Sequence, residues 1–333
     1  MSKLLSFIFS SDTLDLKDKN LKGFFAAIFV VIVLFSGAEL FAHKWLEPYG
    51  NYWQYWGDNA GVKFEYYRSI VKQENFPDIL IVGDSTAARD LSPKAMTDSI
   101  LTGADVFNLG YPANFPMAYR CTTIPLLDTG NGSPELVIMQ ISPSSLIDAA
   151  ETIMFEQGIL TSPICRKQNG ETLAGDYFHL ARFWQIFKFR SAWNTWWKGT
   201  PPSKIPPLQG FMPLEPDNKE LKVLPIKEPP VSFSSDRFSI IIETADIINK
   251  NGGRLIVVIP PFFGNYRKAE GDYYLKLLQE TSIDHPFLII DGRDTPGLDA
   301  SLYSGYVHLN KNGADAFSKY IAGKIVPLIS ITP

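Results

Sequence analysis

The chain is poor in the residues that build metal centres and disulfide frameworks. It holds two cysteines and four histidines in 333 residues. Cys121 and Cys165 are too few for the disulfide framework of a small secreted domain. One bridge or two separate thiols are both open on the sequence. No Cys/His cluster has metal-ligand spacing, so no metal is expected, and no motif asks for a cofactor. There is no long basic block, and the formal net charge is −4, which argues against nucleic-acid binding. No internal repeat is present. No Gly-rich phosphate loop follows the first strand pattern, which argues against a nucleotide-binding doubly wound domain.

What the chain does have is one long apolar run. Residues 23–42 read GFFAAIFVVIVLFSGAELFA. About 20 helical residues span roughly 30 Å of hydrocarbon. Glu39 is the only charge, near the far end. Lys3, Lys17, Lys19 and Lys22 precede the run, and the positive-inside rule counts them over Asp12, Asp15 and Asp18. Residues 1–22 are therefore expected in the cytoplasm. The rest is expected outside a bacterial-type cytoplasmic membrane, in the periplasm or at the cell surface. Ser36-Gly37-Ala38 would suit signal cleavage, but the polar stretch before the run is long for a signal peptide. The reading is an uncleaved, single-pass anchor touching lipid. Trp45, Tyr49, Tyr52, Trp53, Tyr55 and Trp56 follow at once, like an interfacial aromatic belt, within a juxtamembrane segment 43–75.

Residues 76–333 read as an α/β domain. Five β-branched apolar runs predict buried strands: Ile79–Val82, Val106–Leu109, Leu136–Ile141, Leu255–Ile259 and Phe287–Ile290. Helical patterns fall between them, at Pro93–Leu101, Pro116–Leu127, Ser235–Asn251, Lys268–Glu280 and Asn312–Ile325. Alternating strands and helices imply a parallel sheet with right-handed crossovers. Residues 150–234 break the rhythm. They carry an aromatic run from Phe183 to Trp197 and a proline-rich tract from Pro201 to Pro230. This is read as an insertion, either packed on the sheet domain or presented to the membrane or a partner.

Gly83-Asp84-Ser85 ends the first strand pattern, and His308 follows the last one. The carboxyl ends of parallel strands share one crevice. A hydroxyl and an imidazole there would meet as nucleophile and base. His308 is the one histidine expected on that side. His43 lies at the membrane boundary, His179 in the insertion and His285 before a strand. Ser85 and Gly110 N–H groups, with the Asn114 side chain, are candidate oxyanion donors. As ordinary structure, Ser85 and Asn114 would be helix caps, Gly110 a turn glycine and His308 a loop residue. Asp84 adjoins Ser85 and is expected to bond its own loop. Arg89 and Asp90 either face the cleft or pair with each other on the surface, and the surface pair is the favoured reading.

As a set, Gly83-Asp84-Ser85, Asn108-Leu109-Gly110 and His308-Leu309-Asn310-Lys311-Asn312-Gly313 resemble the SGNH/GDSL hydrolase superfamily. The chain is most similar to membrane-anchored members that accompany membrane-bound O-acyltransferases. Among them are the teichoic-acid D-alanine transfer protein and the alginate O-acetylation proteins. The resemblance implies a three-layer, flavodoxin-like domain with a five-stranded parallel sheet. It also implies acyl-ester chemistry at Ser85, a cell-surface polysaccharide as acceptor and a membrane-bound O-acyltransferase as partner. Two features depart from the pattern. The superfamily carries Asp three residues before its histidine, where this chain has Gly305. A backbone carbonyl could orient His308, or Asp299 or Asp294 could do so, or the site is impaired. The Gly-x-Asn-Asp block is also missing, its place taken by Ile141-Ser142-Pro143-Ser144-Ser145, and Asn114 is the candidate replacement donor. Two functions follow: a serine-dependent O-acyltransferase or esterase, or a non-catalytic accessory protein on the same fold.

Overall fold

The computed structural model describes residues 19–42, 60–99, 103–112, 116–128, 130, 132–147, 206–217, 220–225 and 233–328. Five parallel strands form one sheet: β1 (Ile79–Gly83), β2 (Val106–Asn108), β3 (Leu136–Gln140), β4 (Arg254–Ile259) and β5 (Leu288–Asp291). Their order is β2-β1-β3-β4-β5. That is the flavodoxin-like order, in which the chain winds outward in both directions from β1. Its switch point, where ligands sit in such sheets, lies between β1 and β3.

The strand residues alternate between two cores, which makes the domain three-layered. Leu80, Val82, Val137, Met139, Val257 and Ile259 face one core. Helices α2 (Ala60–Lys72), α5 (Pro116–Thr122), α7 (Ser235–Lys250) and α8 (Lys268–Thr281) supply its other side. Ile79, Ile81, Ile138, Ile256 and Val258 face the second core, against α4 (Pro93–Ser99) and α9 (Lys311–Ile325). Strands covered on both faces need no polar alternation, which is why their sequences are almost unbroken apolar runs. β5 is the exception. It has one neighbour, and Leu288 is 43% exposed, so this strand is an edge rather than the buried strand expected from its sequence.

The expected 116–127 helix is two pieces, α5 and α6 (Ile124–Leu127), because Pro125 has no N–H to continue the ladder. The segment expected to be juxtamembrane contains α2, whose Phe64 and Tyr67 are buried in the first core. α1 (Lys19–Phe41) covers most of the apolar run 23–42. Its Gly23–Phe41 span is long and apolar enough to cross a membrane, and none of that span is buried against the protein. The aromatic run 183–197 lies outside the described residues. Part of the proline-rich tract lies within them and docks on the sheet domain. Phe211 is buried in the second core. The Met212 N–H bonds the Ala88 carbonyl at 2.9 Å, and the Leu214 carbonyl accepts from the Lys311 N–H at 2.9 Å. Cys121 is disulfide-bonded. The chain's only other cysteine, Cys165, lies outside the described residues.

Candidate active site

β1 ends on Gly83, and α3 (Ser85–Asp90) begins two residues later. Gly83 has φ +139°, and a Cβ there would sit 1.9 Å from the Gln140 carbonyl oxygen. Only glycine lets β1 turn into α3 this close to β3. Gly83→Ala is therefore expected to lower the thermal unfolding midpoint strongly or to prevent soluble expression. A normal melting curve for that variant would contradict the packing described.

Asp84 fixes the turn. Its carboxylate is 2% exposed and accepts from donors on both sides of the switch point. Oδ1 takes the Thr86 N–H at 2.8 Å and the Thr86 hydroxyl at 2.7 Å. Oδ2 takes the Ser142 N–H at 2.8 Å and the Ser145 hydroxyl at 2.7 Å. Asp84 thus caps α3 and joins it to the loop after β3. Its four acceptor interactions leave it no capacity to orient an imidazole.

Ser85 and His308 line one cleft of about 340 Å³, together with Asp84, Arg89, Pro112, Ser142, Ser144, Ser145 and Val307. The two chemistry-bearing side chains, far apart in sequence, are thus neighbours at the β1/β3 switch point. Ser85 is the first residue of α3, where an N–H has no helical acceptor. The Ser142 and Ser144 hydroxyls lie 2.7 Å apart in the same wall. They occupy the place of the absent Gly-x-Asn-Asp block.

Asp90 overturns the favoured surface pair and sits on the cleft side instead, fully buried at the last position of α3 behind His308. Its Oδ1 accepts the Leu309 N–H at 3.0 Å and lies 3.7 Å from His308 Nδ1. Its Oδ2 and His308 Nδ1 are buried and have no hydrogen-bond partner among the described residues. That 3.7 Å separation is longer than a hydrogen bond. Catalytic hydrogen bonds are commonly this loose before substrate binds. Burial pushes the Asp90 carboxyl above its ordinary range, against the opposing pull of His308. Ordinary charge statistics place Asp at the surface, and this is where they mislead. The signal available was the empty acid position at Gly305, which called for a carboxylate from elsewhere on the strand-end side.

The other expected acids are elsewhere. Asp299 caps the turn Ala300–Leu302, accepting from the Ser301 N–H at 2.8 Å and hydroxyl at 2.6 Å. The Ser301 hydroxyl bond, then its N–H, holds the Asp299 carboxyl below the ordinary range. Asp294 is exposed and lines a second, separate pocket with Tyr266 and Arg293. Neither lines the cleft that holds His308.

Gly110 also corrects its expectation. Its N–H is buried and donates to Asn108 Oδ1 at 2.9 Å, so it does not point into the cleft as an oxyanion donor. A Cβ at Gly110 would meet the Ala87 Cβ at 2.7 Å, so glycine is there to let β2 approach α3. Asn108 completes that contact, donating from Nδ2 to the Ala87 and Leu91 carbonyls at 2.8 Å each. Asn114 lies outside the described residues. His285 pairs with Asp246 at 2.8 Å on the surface.

No family model matches this chain, and no curated protein does. Solved structures similar to it include a carbohydrate acetylesterase from Sinorhizobium meliloti, at 11% identity and a TM-score of 0.36, covering 75% of this chain and 99% of that one. The inhibitor-bound aryl esterase of M. smegmatis is similar at 10% identity and a TM-score of 0.35, over 75% and 99% of the two chains. A G-D-S-L family protein from Desulfitobacterium hafniense DCB-2 is similar at 10% identity and a TM-score of 0.36, over 74% and 97%.

Proposed function

We propose that this chain is a membrane-tethered acyl-ester enzyme. Ser85 attacks the acyl carbon and His308 takes the serine proton. Asp90 holds His308 in the tautomer that can accept it. One observation carries the reading: Ser85 and His308 line the same cleft, with a buried carboxylate 3.7 Å behind the imidazole. Asp90 thereby supplies the acid that residue 305 lacks. This removes the main argument for an impaired, purely accessory protein. The oxyanion donors in this reading are the Ser85 N–H and the Ser142–Ser144 hydroxyl pair of the cleft lining. Gly110 no longer has that role.

The mechanism is a two-step transfer. The Ser85 oxygen bonds to the acyl carbon as its proton passes to His308, and the imidazolium is stabilised by Asp90. Collapse of the tetrahedral intermediate expels the donor's alcohol, which takes the proton back from His308. A second hydroxyl, or water, then repeats the sequence on the acyl-enzyme. The acceptor we propose is a hydroxyl of a cell-envelope polysaccharide, with a membrane-bound O-acyltransferase as partner. The anchor α1 and the disulfide at Cys121 support this location, since disulfides persist outside the cytoplasm. Deleting the chain from its host is expected to remove ester-linked acyl groups from surface glycans. Wild type should restore them and Ser85→Ala should not; restoration by Ser85→Ala would sink the catalytic reading.

We place residues 1–22 in the cytoplasm and the α/β domain outside. Alkaline phosphatase fused after Pro333 is accordingly expected to be active, and a fluorescent protein that matures only in the cytoplasm to be dark. The reverse pattern would invert the topology.

A further inference from the structure

Arg89 lines the cleft beside Ser85 and His308 and is only part-exposed. Its guanidinium is a fixed positive charge with planar, forked donors. Its Nε is buried and has no hydrogen-bond partner, and no hydrogen bond or ion pair joins Arg89 to any described residue. The two acids beside it in sequence are committed elsewhere. Asp84 is saturated by the Thr86, Ser142 and Ser145 donors. Asp90 is fully buried and turned to Leu309 and His308. A buried, charged donor without an acceptor is costly, and native proteins keep one where a ligand completes it.

We infer that Arg89 forms an anion subsite of this cleft, taking a carboxylate carried by the ester substrate on its part-exposed guanidinium. Paired guanidinium N–H groups match the two oxygens of a planar carboxylate, a pairing that fixes orientation as well as adding affinity. The subsite sits one helical turn from Ser85 along α3, so the carboxylate and the scissile ester lie on the same small molecule or adjacent sugar units. This rests on the acyl-ester reading above and deepens it, since it names the charge of the substrate.

The test uses full-length protein in detergent micelles and five acetyl esters: phenyl acetate, the 2-, 3- and 4-acetoxybenzoates, and 4-acetoxyphenyl phosphate. At least one benzoate is expected to exceed phenyl acetate in kcat/KM by roughly 10- to 100-fold, the range of a charge-assisted hydrogen bond. Arg89→Gln should erase that advantage, and Arg89→Lys, which keeps charge but not the fork, should retain a part. Thermal unfolding identifies any variant that fails to fold. No benzoate advantage, or one that survives Arg89→Gln, overturns the inference. So does a larger Arg89-dependent advantage for 4-acetoxyphenyl phosphate. Binding is read separately, in a Ser85→Ala chain with 15N-labelled arginine. The Arg89 Nε–H resonance should shift with an acetoxybenzoate and not with phenyl acetate. That shift without turnover in the wild type would keep the subsite and discard the enzyme reading. Ser85-dependent turnover with neither shift nor preference would do the opposite.

Discussion

Ser85→Ala is expected to cut turnover of an activated acetyl ester by on the order of 10⁴-fold or more, the scale seen when a serine nucleophile is removed from a triad. The same variant should lose all labelling by a serine-directed phosphonate, while His308→Ala is labelled weakly. The fold should be indifferent. No hydrogen bond from the Ser85 hydroxyl to a described residue is present, and the α3 cap is provided by Asp84 rather than by Ser85. An unchanged unfolding midpoint with lost activity would therefore assign the hydroxyl to chemistry. Equal phosphonate labelling of wild type and Ser85→Ala would remove the nucleophile from the proposal, and with it the two-step transfer.

Asp90→Asn separates catalysis from stability in opposite directions. The asparagine oxygen can still accept the Leu309 N–H, so the loop carrying His308 stays in place. That same oxygen is the one nearest His308 Nδ1, but in the amide it carries no negative charge to stabilise the imidazolium. Without that charge kcat is expected to fall steeply, by up to about 10⁴-fold. Stability should rise at neutral pH. Burial raises the Asp90 pKa in the folded state, so the folded chain holds that proton more tightly than the unfolded chain does. The stability linked to this proton is full below the unfolded carboxylate pKa and is lost as pH rises through the raised folded value. The neutral amide escapes that loss. The melting midpoint of Asp90→Asn should exceed that of wild type at pH 7 by several degrees and converge on it in acid. A variant with wild-type kcat would show that Asp90 does not govern the imidazole. A variant less stable than wild type at pH 7 would show that attraction to His308 outweighs burial.

The sheet was legible because parallel strands covered on both faces leave an unmistakable trace, as in Ile79–Val82 and Leu255–Ile259. Strand ends moved by a residue, since Gly83 and Asp291 pair in the sheet although neither is an apolar strand former. The 116–127 pattern kept its helical period across Pro125, so periodicity alone hid the break. The meeting of Ser85 and His308 followed from topology, because both lie after strands of one parallel sheet. Hydrogen-bond direction was not legible. Gly110 stands at the right strand end, yet its N–H turns inward to Asn108, and only the close passage of α3 over β2 makes that clear. Asp90 was hidden for a related reason. A charged residue in a helix of six looks exposed until the 303–309 loop is folded over it. That loop is held by the Ser304 N–H to the His308 carbonyl at 2.9 Å.

The shared carboxylate of Asp84 also sets how the mouth can change shape. It locks the serine turn and the loop after β3 into one immobile jaw, because parting them would strand a buried anion. A bulky guest must therefore gain its room at Pro112 or Val307, two side chains of the cleft lining that Asp84 does not hold. Breadth of substrate choice should accordingly respond to substitutions at those two positions and hardly at all to changes along the serine walls.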